Sequence, residues 1–150
     1  MGAKRSIFIT DWWMSPEVFL RRPVNESQYI QMANNKLSNR RFTNNLTRLM
    51  DVLDYKARQG VKVYILVYYE CSLALTLNSK HTEEAFKIIN PNIKVTRHPS
   101  NASTLLWSHH EKLVVIDQII GYVGGLDLCW GRYDNHHHPI YEGPNPQGIY

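Results

Sequence analysis

A histidine and a lysine separated by one residue are the side chains of this sequence best suited to chemistry. They are His110 and Lys112, and Asp117 follows five residues later. On a β-strand, residues i and i+2 project from the same face, so His110 and Lys112 would lie about 6–7 Å apart. An ammonium can neutralise the non-bridging oxygens of a phosphate, while an imidazole attacks phosphorus or carries a proton. The pattern favours phosphoryl chemistry, although an edge strand with a surface histidine and lysine would show the same three letters.

The residues after Lys112 indicate that it needs a negatively charged partner. Leu113–Ile116 is continuously apolar, as expected for a buried strand. A lysine at the start of such a strand requires an anionic partner, because an unpaired buried charge is unfavourable. Asp117 ends the run, where its carboxylate can accept hydrogen bonds from backbone or side-chain donors.

Strands and helices alternate along the chain, which predicts an α/β fold. Apolar residues at helical spacing predict a helix through 46–57, and Thr82 is expected to open a second helix. The predicted strands are Ser6–Thr10, Val61–Tyr69, Ile93–Arg97, Leu105–His109, Lys112–Asp117 and Ile119–Val123. We therefore expect a mixed β-sheet flanked by helices, with a long loop at 21–44 and a truncated loop at 135–150.

Composition and charge exclude several classes of protein. The chain has 150 residues, which suits one domain, and its 43% apolar and 20% charged residues are typical of globular proteins. No apolar run approaches the roughly 18 residues of a membrane span. The net charge of +4 leans weakly towards anionic partners. Cys71 and Cys129 are too few for a disulfide framework, so we expect free thiols in a reducing compartment.

Flanking residues extend the histidine–lysine pattern into a longer and more specific signature. The contributing segments are Ile9–Glu17, Gln59–Val61, Asn90–Pro99, Trp107–Lys112, Gly124–Leu128 and Gly131–Asp134. Together they resemble the first HKD motif of the phospholipase D superfamily, and specifically its eukaryotic phosphatidylcholine-hydrolysing branch. The resemblance covers nearly all of residues 4–134 and departs only at an Asn-rich stretch near 25–45.

The resemblance implies one lobe of the two-lobed phospholipase D fold and a phosphodiesterase activity. It implies that His110 attacks the phosphorus of phosphatidylcholine and displaces choline, giving a phosphatidyl-histidine that water converts to phosphatidic acid. Lys112 would hold the phosphoryl oxygens, and Asp117 completes the motif. No cofactor or metal is implied, since lysines supply the positive charge. The implied partner is a phospholipid at a membrane surface, with no nucleic acid, for a cytoplasmic protein that associates peripherally with membranes.

Two departures from the superfamily pattern leave open which group orients His110. The wider pattern has Ser and Asn where this chain has Gly125 and Leu128. The eukaryotic branch carries a similar Gly-Gly-x-Asp-Leu string, so the difference does not indicate loss of function. Asp127, Asp134 or a carboxylate beyond residue 150 could orient the histidine.

The chain contains one HKD motif, whereas the family builds each active site from two. Neither His81 nor His98 is followed by Lys and Asp at the required spacing. Residues 1–150 are therefore expected to be the N-terminal half of a catalytic domain, with its motif at 110–117, that needs a second HKD half or a dimer mate. Alone, this half is expected to be inactive. The alternatives are a non-catalytic half-domain that binds lipid or a partner, and another phosphodiesterase of the superfamily.

Three residues near the motif carry further expectations. His109 should point away from His110 and have a structural role. Trp12 fits either the core or the mouth of a lipid pocket. Glu70, at the end of a predicted strand, fits either support of the site or the surface.

Overall fold

Five strands and two helices make up the part of the chain that the structure describes. The structure is a computed structural model, and it describes residues 2–20, 48–70, 75–99 and 108–132. The elements are β1 (Ser6–Asp11), α1 (Leu49–Arg58), β2 (Lys62–Tyr68), α2 (Ser79–Ile89), β3 (Ile93–His98), β4 (Lys112–Ile116) and β5 (Ile120–Gly124). The predicted loops at 21–44 and 135–150 fall outside the described residues.

The five strands form one open mixed sheet in the order β3-β2-β1-β4-β5. β1 is parallel to β2 and β2 to β3, whereas β4 runs antiparallel to both β1 and β5. In the central strand, Ile9 stands opposite Ile65 of β2 and Val114 of β4. The carboxyl ends of β1, β2 and β3 therefore meet the amino end of β4 at one end of the sheet, where α/β proteins commonly place their sites. The predicted α/β class with a mixed sheet is confirmed.

The hydrophobic core lies on one face of the sheet, under the two helices. Buried and more exposed residues alternate along β1 and along most of β2. The buried cluster joins strand residues to helix residues, including Ile7, Ile9, Val63, Ile65 and Val67 from the strands and Leu49, Leu53, Ala57 and Phe86 from the helices. Phe86 is fully buried, and truncating such a residue to Ala costs about 3–5 kcal/mol, so it anchors α2 to the sheet.

Most of the predicted elements are confirmed, with shifted ends and one exception. β1 extends to Asp11, one residue beyond the predicted strand. Helix α2 begins at Ser79 and not near Thr82, whose buried hydroxyl instead donates a hydrogen bond of 2.7 Å to the Met14 carbonyl. The exception is the strand predicted at 105–109. Residues 105–107 lie outside the described part of the chain, and residues 108 and 109 do not belong to a strand.

Glu70 connects the end of β2 to the start of α2. Its buried carboxylate accepts hydrogen bonds from the Ser79 backbone N–H, at 2.9 Å, and from the Ser79 hydroxyl. Arg97 of β3 lies 3.8 Å from the same carboxylate and donates to the Ser79 hydroxyl at 2.8 Å. A carboxylate at a helix N-terminus satisfies a free N–H group and complements the helix dipole. Glu70 is therefore a buried cap of α2, not a surface residue.

Candidate active site

Lys112, the first residue of β4, is held by Asp127, which follows β5. Its ammonium lies 2.8 Å from an oxygen of the Asp127 carboxylate, and only 7% and 4% of the two side chains are exposed. The hairpin of β4 and β5 brings them together, because Lys112 pairs with Gly124, three residues before Asp127. The anionic partner that the apolar surroundings of Lys112 require is thus present in the same chain.

His110 and Lys112 share a neighbour, the indole ring of Trp12. The His110 and Trp12 ring centres are 5.2 Å apart, and the Lys112 ammonium lies 5.8 Å from the centre of the Trp12 ring. His110 is exposed and precedes β4, which begins at Lys112. The prediction that both residues belong to one strand is therefore wrong, but the structure does bring them to the same side chain. The exposed imidazole is accessible to a substrate beside a desolvated ammonium.

Asp11 ends β1 beside this cluster, and only 1% of it is exposed. Its carboxyl oxygens accept hydrogen bonds from the backbone N–H groups of Trp12, at 2.9 Å, and Leu128, at 2.8 Å. Asp11 is also hydrogen-bonded to the Asp127 carboxylate. Burial, reinforced by the contact with the Asp127 carboxylate, raises the pKa of Asp11 to about 8. Asp11 is therefore mostly a neutral carboxylic acid at pH 7.

Asp127 is ionised in the same surroundings. Burial opposes its charge, but the Lys112 ammonium, the hydrogen bond from Asp11 and the Trp13 N–H, 3.2 Å away, hold its pKa below the usual value. Arg132 supplies a second cation, 3.4 Å from the carboxylate. The two neighbouring carboxyl groups thus have opposite protonation states at neutral pH.

Asp117 lies at the other end of β4 from Lys112. The rise of a strand separates the two residues by about 16 Å. The Asp117 carboxylate accepts hydrogen bonds of 2.7–2.8 Å from three successive backbone N–H groups, those of Ser6, Arg5 and Lys4. These hydrogen bonds lower the pKa of Asp117. The structure therefore does not bring Asp117 to His110 and Lys112, and its contacts instead fasten the segment around the start of β1 to the end of β4.

The other predicted supporting residues are Asp127 and Asp134. Asp127, a predicted candidate to orient His110, contacts Lys112 instead. Asp134, the second candidate, lies outside the described residues. Asp11 belongs to this cluster, but the sequence did not predict it as a site residue. A signal for it exists, because residues 7, 9 and 11 share one face of β1 and a carboxylate on the core face is unusual.

His109 contacts different rings from His110. Its side chain is 11% exposed, and its ring centre lies 5.9 Å from those of Tyr68 and His98. Burial lowers the pKa of His109, although Glu111 lies 3.4 Å from its Nδ1 atom. A neutral imidazole packed at the ends of β2 and β3 supports the predicted structural role.

Two buried nitrogen atoms near His110 keep hydrogen-bonding capacity that the described residues do not use. Trp12 Nε1 has no hydrogen-bond partner among the described residues, and the contact of Lys112 Nζ with Asp127 at 2.8 Å leaves further N–H groups of its ammonium for another acceptor. Buried donors in native proteins nearly always have a partner, and phosphoryl oxygens would suit both of these. The fold is therefore α/β, and one end of its sheet brings together an exposed imidazole, a buried ammonium and a pair of buried carboxyl groups.

Comparison with known proteins identifies the family. The sequence model of the Phospholipase D family matches residues 1–146. The chain is 47% identical over 141 residues to phospholipase D1 of Rattus norvegicus and 42% identical over 140 residues to phospholipase D2 of Bos taurus, each match covering 93% of the chain. It is 41% identical over 146 residues, 96% of the chain, to phospholipase D zeta 1 of Arabidopsis thaliana. The chain belongs to the phospholipase D family, as its HKD motif predicts.

The chain corresponds to a small part of these relatives. It spans 12% of the rat protein, 13% of the bovine protein and 12% of the Arabidopsis protein.

Proposed function

We propose that this chain supplies the nucleophile and one phosphate-binding lysine of a phospholipase D. The complete enzyme would hydrolyse phosphatidylcholine to phosphatidic acid and choline. The observation that carries the proposal is that exposed His110 and buried Lys112 meet at Trp12, in a chain that the Phospholipase D family matches over residues 1–146.

The reaction would proceed through a covalent intermediate on His110. An imidazole nitrogen attacks phosphorus, a P–N bond forms, and the bond from phosphorus to the choline oxygen breaks as that oxygen gains a proton from a general acid. Water then attacks phosphorus and gives its proton to the same group, now a base, while the P–N bond breaks. Phosphatidic acid leaves, and His110 returns to its starting state.

Lys112 would stabilise the negative charge on the phosphoryl oxygens during both steps. Its ammonium is already desolvated and held 2.8 Å from Asp127, so little reorganisation is needed as the transition state forms. Trp12 forms the surface on which both the imidazole and the ammonium lie.

The general acid would come from a second HKD half, since the sequence carries one such motif. We place that half either in the same polypeptide or in a dimer mate, and the substrate in a membrane surface that faces the cytoplasm. Alone, the 150-residue chain would be inactive because nucleophile and acid must flank one phosphorus atom. Within the four described ranges, no helix combines the length and the hydropathy needed to cross a membrane.

The test uses a hybrid enzyme, rat phospholipase D1 in which this chain replaces the matching segment. Choline release is measured from phosphatidylcholine vesicles. His110→Ala should lower the rate by more than about 10³-fold, because no neighbouring group replaces the nucleophile. His81→Ala is the matched control, since His81 pairs with Glu17 at 2.8 Å, outside the cluster, and its loss should leave the rate unchanged.

Two outcomes would contradict the proposed function. One is a hybrid enzyme that is folded but inactive, while the rat parent is active. The other is choline release that survives His110→Ala or falls equally with His81→Ala. A hybrid that cleaves nucleic acid but not phosphatidylcholine would instead support another phosphodiesterase activity of the same superfamily.

A further inference from the structure

Beside Lys112 lies a pair of buried carboxyl groups, of which only Asp127 holds the lysine. The second member is Asp11, which is hydrogen-bonded to Asp127 from the end of β1. The charged or titratable groups nearest the pair are Lys112 at the start of β4 and, after β5, Arg132 and Cys129. Burial raises the pKa of the Cys129 thiol to about 12, so this group is uncharged at neutral pH. The protonation of the carboxyl pair therefore sets the local charge beside the phosphate site.

A second ionised carboxyl group in this buried pair would have no buried counter-ion of its own. With both carboxyls ionised, a second negative charge would lie in a buried place where Lys112 is the one buried cation beside the pair in the described part of the chain, because Arg132 is 41% exposed. Such a charge is unfavourable and would also repel an anionic phosphodiester. Two carboxyl groups in contact avoid this by sharing a proton.

The contacts place that proton on Asp11. Asp127 lies 2.8 Å from Lys112 and 3.4 Å from Arg132, so two cations stabilise its ionised form. Asp11 forms no ion pair within the described part of the chain, and its remaining partners are two backbone N–H groups. Asp11 is therefore the hydrogen-bond donor of the pair, and Asp127 is the acceptor.

We propose that Asp11 is a positioning residue that works as a neutral carboxylic acid. Its O–H donates to the Asp127 carboxylate, and this fixes the Lys112 ammonium against the phosphoryl oxygens of the substrate. The inference rests on the proposed function, because that function supplies the phosphate that Lys112 binds. When Asp11 loses its proton, the hydrogen bond to Asp127 is lost and a negative charge appears beside the phosphate. Binding of the phosphoryl oxygens by Lys112 therefore weakens as the pH rises.

The first test measures kcat/KM for choline release against pH in the hybrid enzyme. Asp11 keeps its proton below its pKa of about 8 and loses it above. Between pH 7 and pH 9 the unsubstituted hybrid should therefore lose about tenfold in kcat/KM through Asp11. Asp11→Asn keeps a donor to Asp127 and cannot ionise, so it should remain active at pH 7 and lack this alkaline loss. Asp11→Ala has no donor and should be slower by about 10²-fold at every pH.

Asp51→Asn is the matched control for these variants. Asp51 lies on α1 and pairs with Arg48 at 2.7 Å, outside the cluster, so its loss should leave the pH profile unchanged. A merely structural role for Asp11 would lower activity in both Asp11 variants without flattening the profile of Asp11→Asn. That result, or an alkaline loss in Asp11→Asn as large as in the unsubstituted enzyme, would overturn the proposal.

The second measurement does not depend on turnover. Infrared titration of the hybrid enzyme, with Asp11→Asn used to identify the signal, reports the protonation of the Asp11 carboxyl directly. A carboxyl that is protonated at pH 7 and ionises near pH 8 supports the proposal. If Asp11→Asn does not fold, the absence of any protonated aspartate at pH 7 in the unsubstituted enzyme still overturns it. A hybrid that is inactive, or active despite His110→Ala, would refute the proposed function and leave this titration unaffected.

Discussion

His110 and Lys112 differ most in their access to solvent, and the role that we propose for each depends on that difference. A nucleophile must reach phosphorus, and His110 is exposed. A cation that stabilises phosphoryl oxygens works best where water does not screen it, and Lys112 is buried. Trp12 contacts both, so one apolar ring places an accessible imidazole next to a desolvated ammonium.

Replacing Lys112 by Arg should strongly lower the catalytic rate of the enzyme, although the positive charge is kept. A planar guanidinium does not reproduce the shape of an ammonium in this buried site beside Asp127. We expect kcat of the hybrid enzyme to fall by about 10²–10³-fold, the usual effect of losing one transition-state donor. Lys62→Arg is the matched control, because Lys62 is exposed on β2 and donates to Asn92. A Lys112→Arg enzyme with near-normal choline release would remove Lys112 from the phosphate site.

Replacing His109 should be much milder than replacing His110. His109 is a neutral imidazole that packs against Tyr68 and His98, so its loss disturbs packing and not the reacting bond. We expect His109→Gln to cost far less than the roughly 10²–10⁴-fold that loss of a proton-transferring group causes. Choline release is measured for His109→Gln and for His110→Ala, and the two rates show which residue matters more for the reaction. A His109 variant more damaged than His110→Ala would overturn the assignment of the nucleophile.

The spacing of residues along the sequence predicts that His110 and Lys112 lie together, but it does not predict which residues support them. The one-residue gap between His110 and Lys112 is a short-range property, and the structure keeps the two side chains together even though His110 lies outside β4. The Asp11–Asp127 pair depends on β4 lying between β1 and β5, which is a long-range property of the sheet. No spacing in the sequence encodes that order, so the predicted strand ends at Thr10 and Asp11 is not predicted as part of the site.

Among the elements, β4 has Lys112, the proposed phosphate-binding residue, at one end, and it is followed at the other end by Asp117, which binds the backbone at the start of β1. Replacing Asp117 by Asn should lower the urea midpoint of the chain and leave kcat of the folded hybrid enzyme unchanged, because three backbone N–H groups lose an anionic acceptor. The folded-state pKa of Asp117 lies below its ordinary value, so the stabilisation is present at neutral pH. It is lost as the pH falls through the folded-state pKa. An unchanged midpoint together with lost kcat would place Asp117 in catalysis after all.

Helix α2 depends on a cap that comes from another element. Glu70→Ala should destabilise the chain by about 1–2 kcal/mol, because the Ser79 N–H loses its acceptor and Arg97 loses its anionic neighbour. Glu84→Ala is the matched control, since Glu84 is an exposed residue of α2 whose pair with Lys80, at 3.8 Å, is worth less than about 1 kcal/mol. Urea unfolding of both variants measures the difference. Equal effects would show that Glu70 does not cap the helix.

The whole molecule exposes apolar surface at one side of its sheet. The large exposed side chains there belong to β5 and its flanking turns, and they are Ile119, Ile120, Tyr122, Val123 and Leu126. β5 is the last strand on that side, and its outer edge has no strand partner in the described part of the chain. An exposed apolar strand edge can pair with a strand of another chain, and soluble proteins usually cover such edges. We expect the second HKD half to pack here, next to the strand whose amino end carries Lys112.

Without that half, the isolated 150-residue chain should self-associate through β5. Val123→Lys adds a charge at a position that is 82% exposed and should shift the chain towards monomer in sedimentation velocity, because a lysine on an edge strand opposes pairing. Ile88→Lys is the matched control. Ile88 is equally exposed, but it lies on α2, which packs against β3 at the opposite side of the sheet, so this change should leave association unaltered. If the unsubstituted chain is already a monodisperse monomer, the exposed edge of β5 does not drive association. An equal effect of both lysines would show that association is unspecific and does not run through β5.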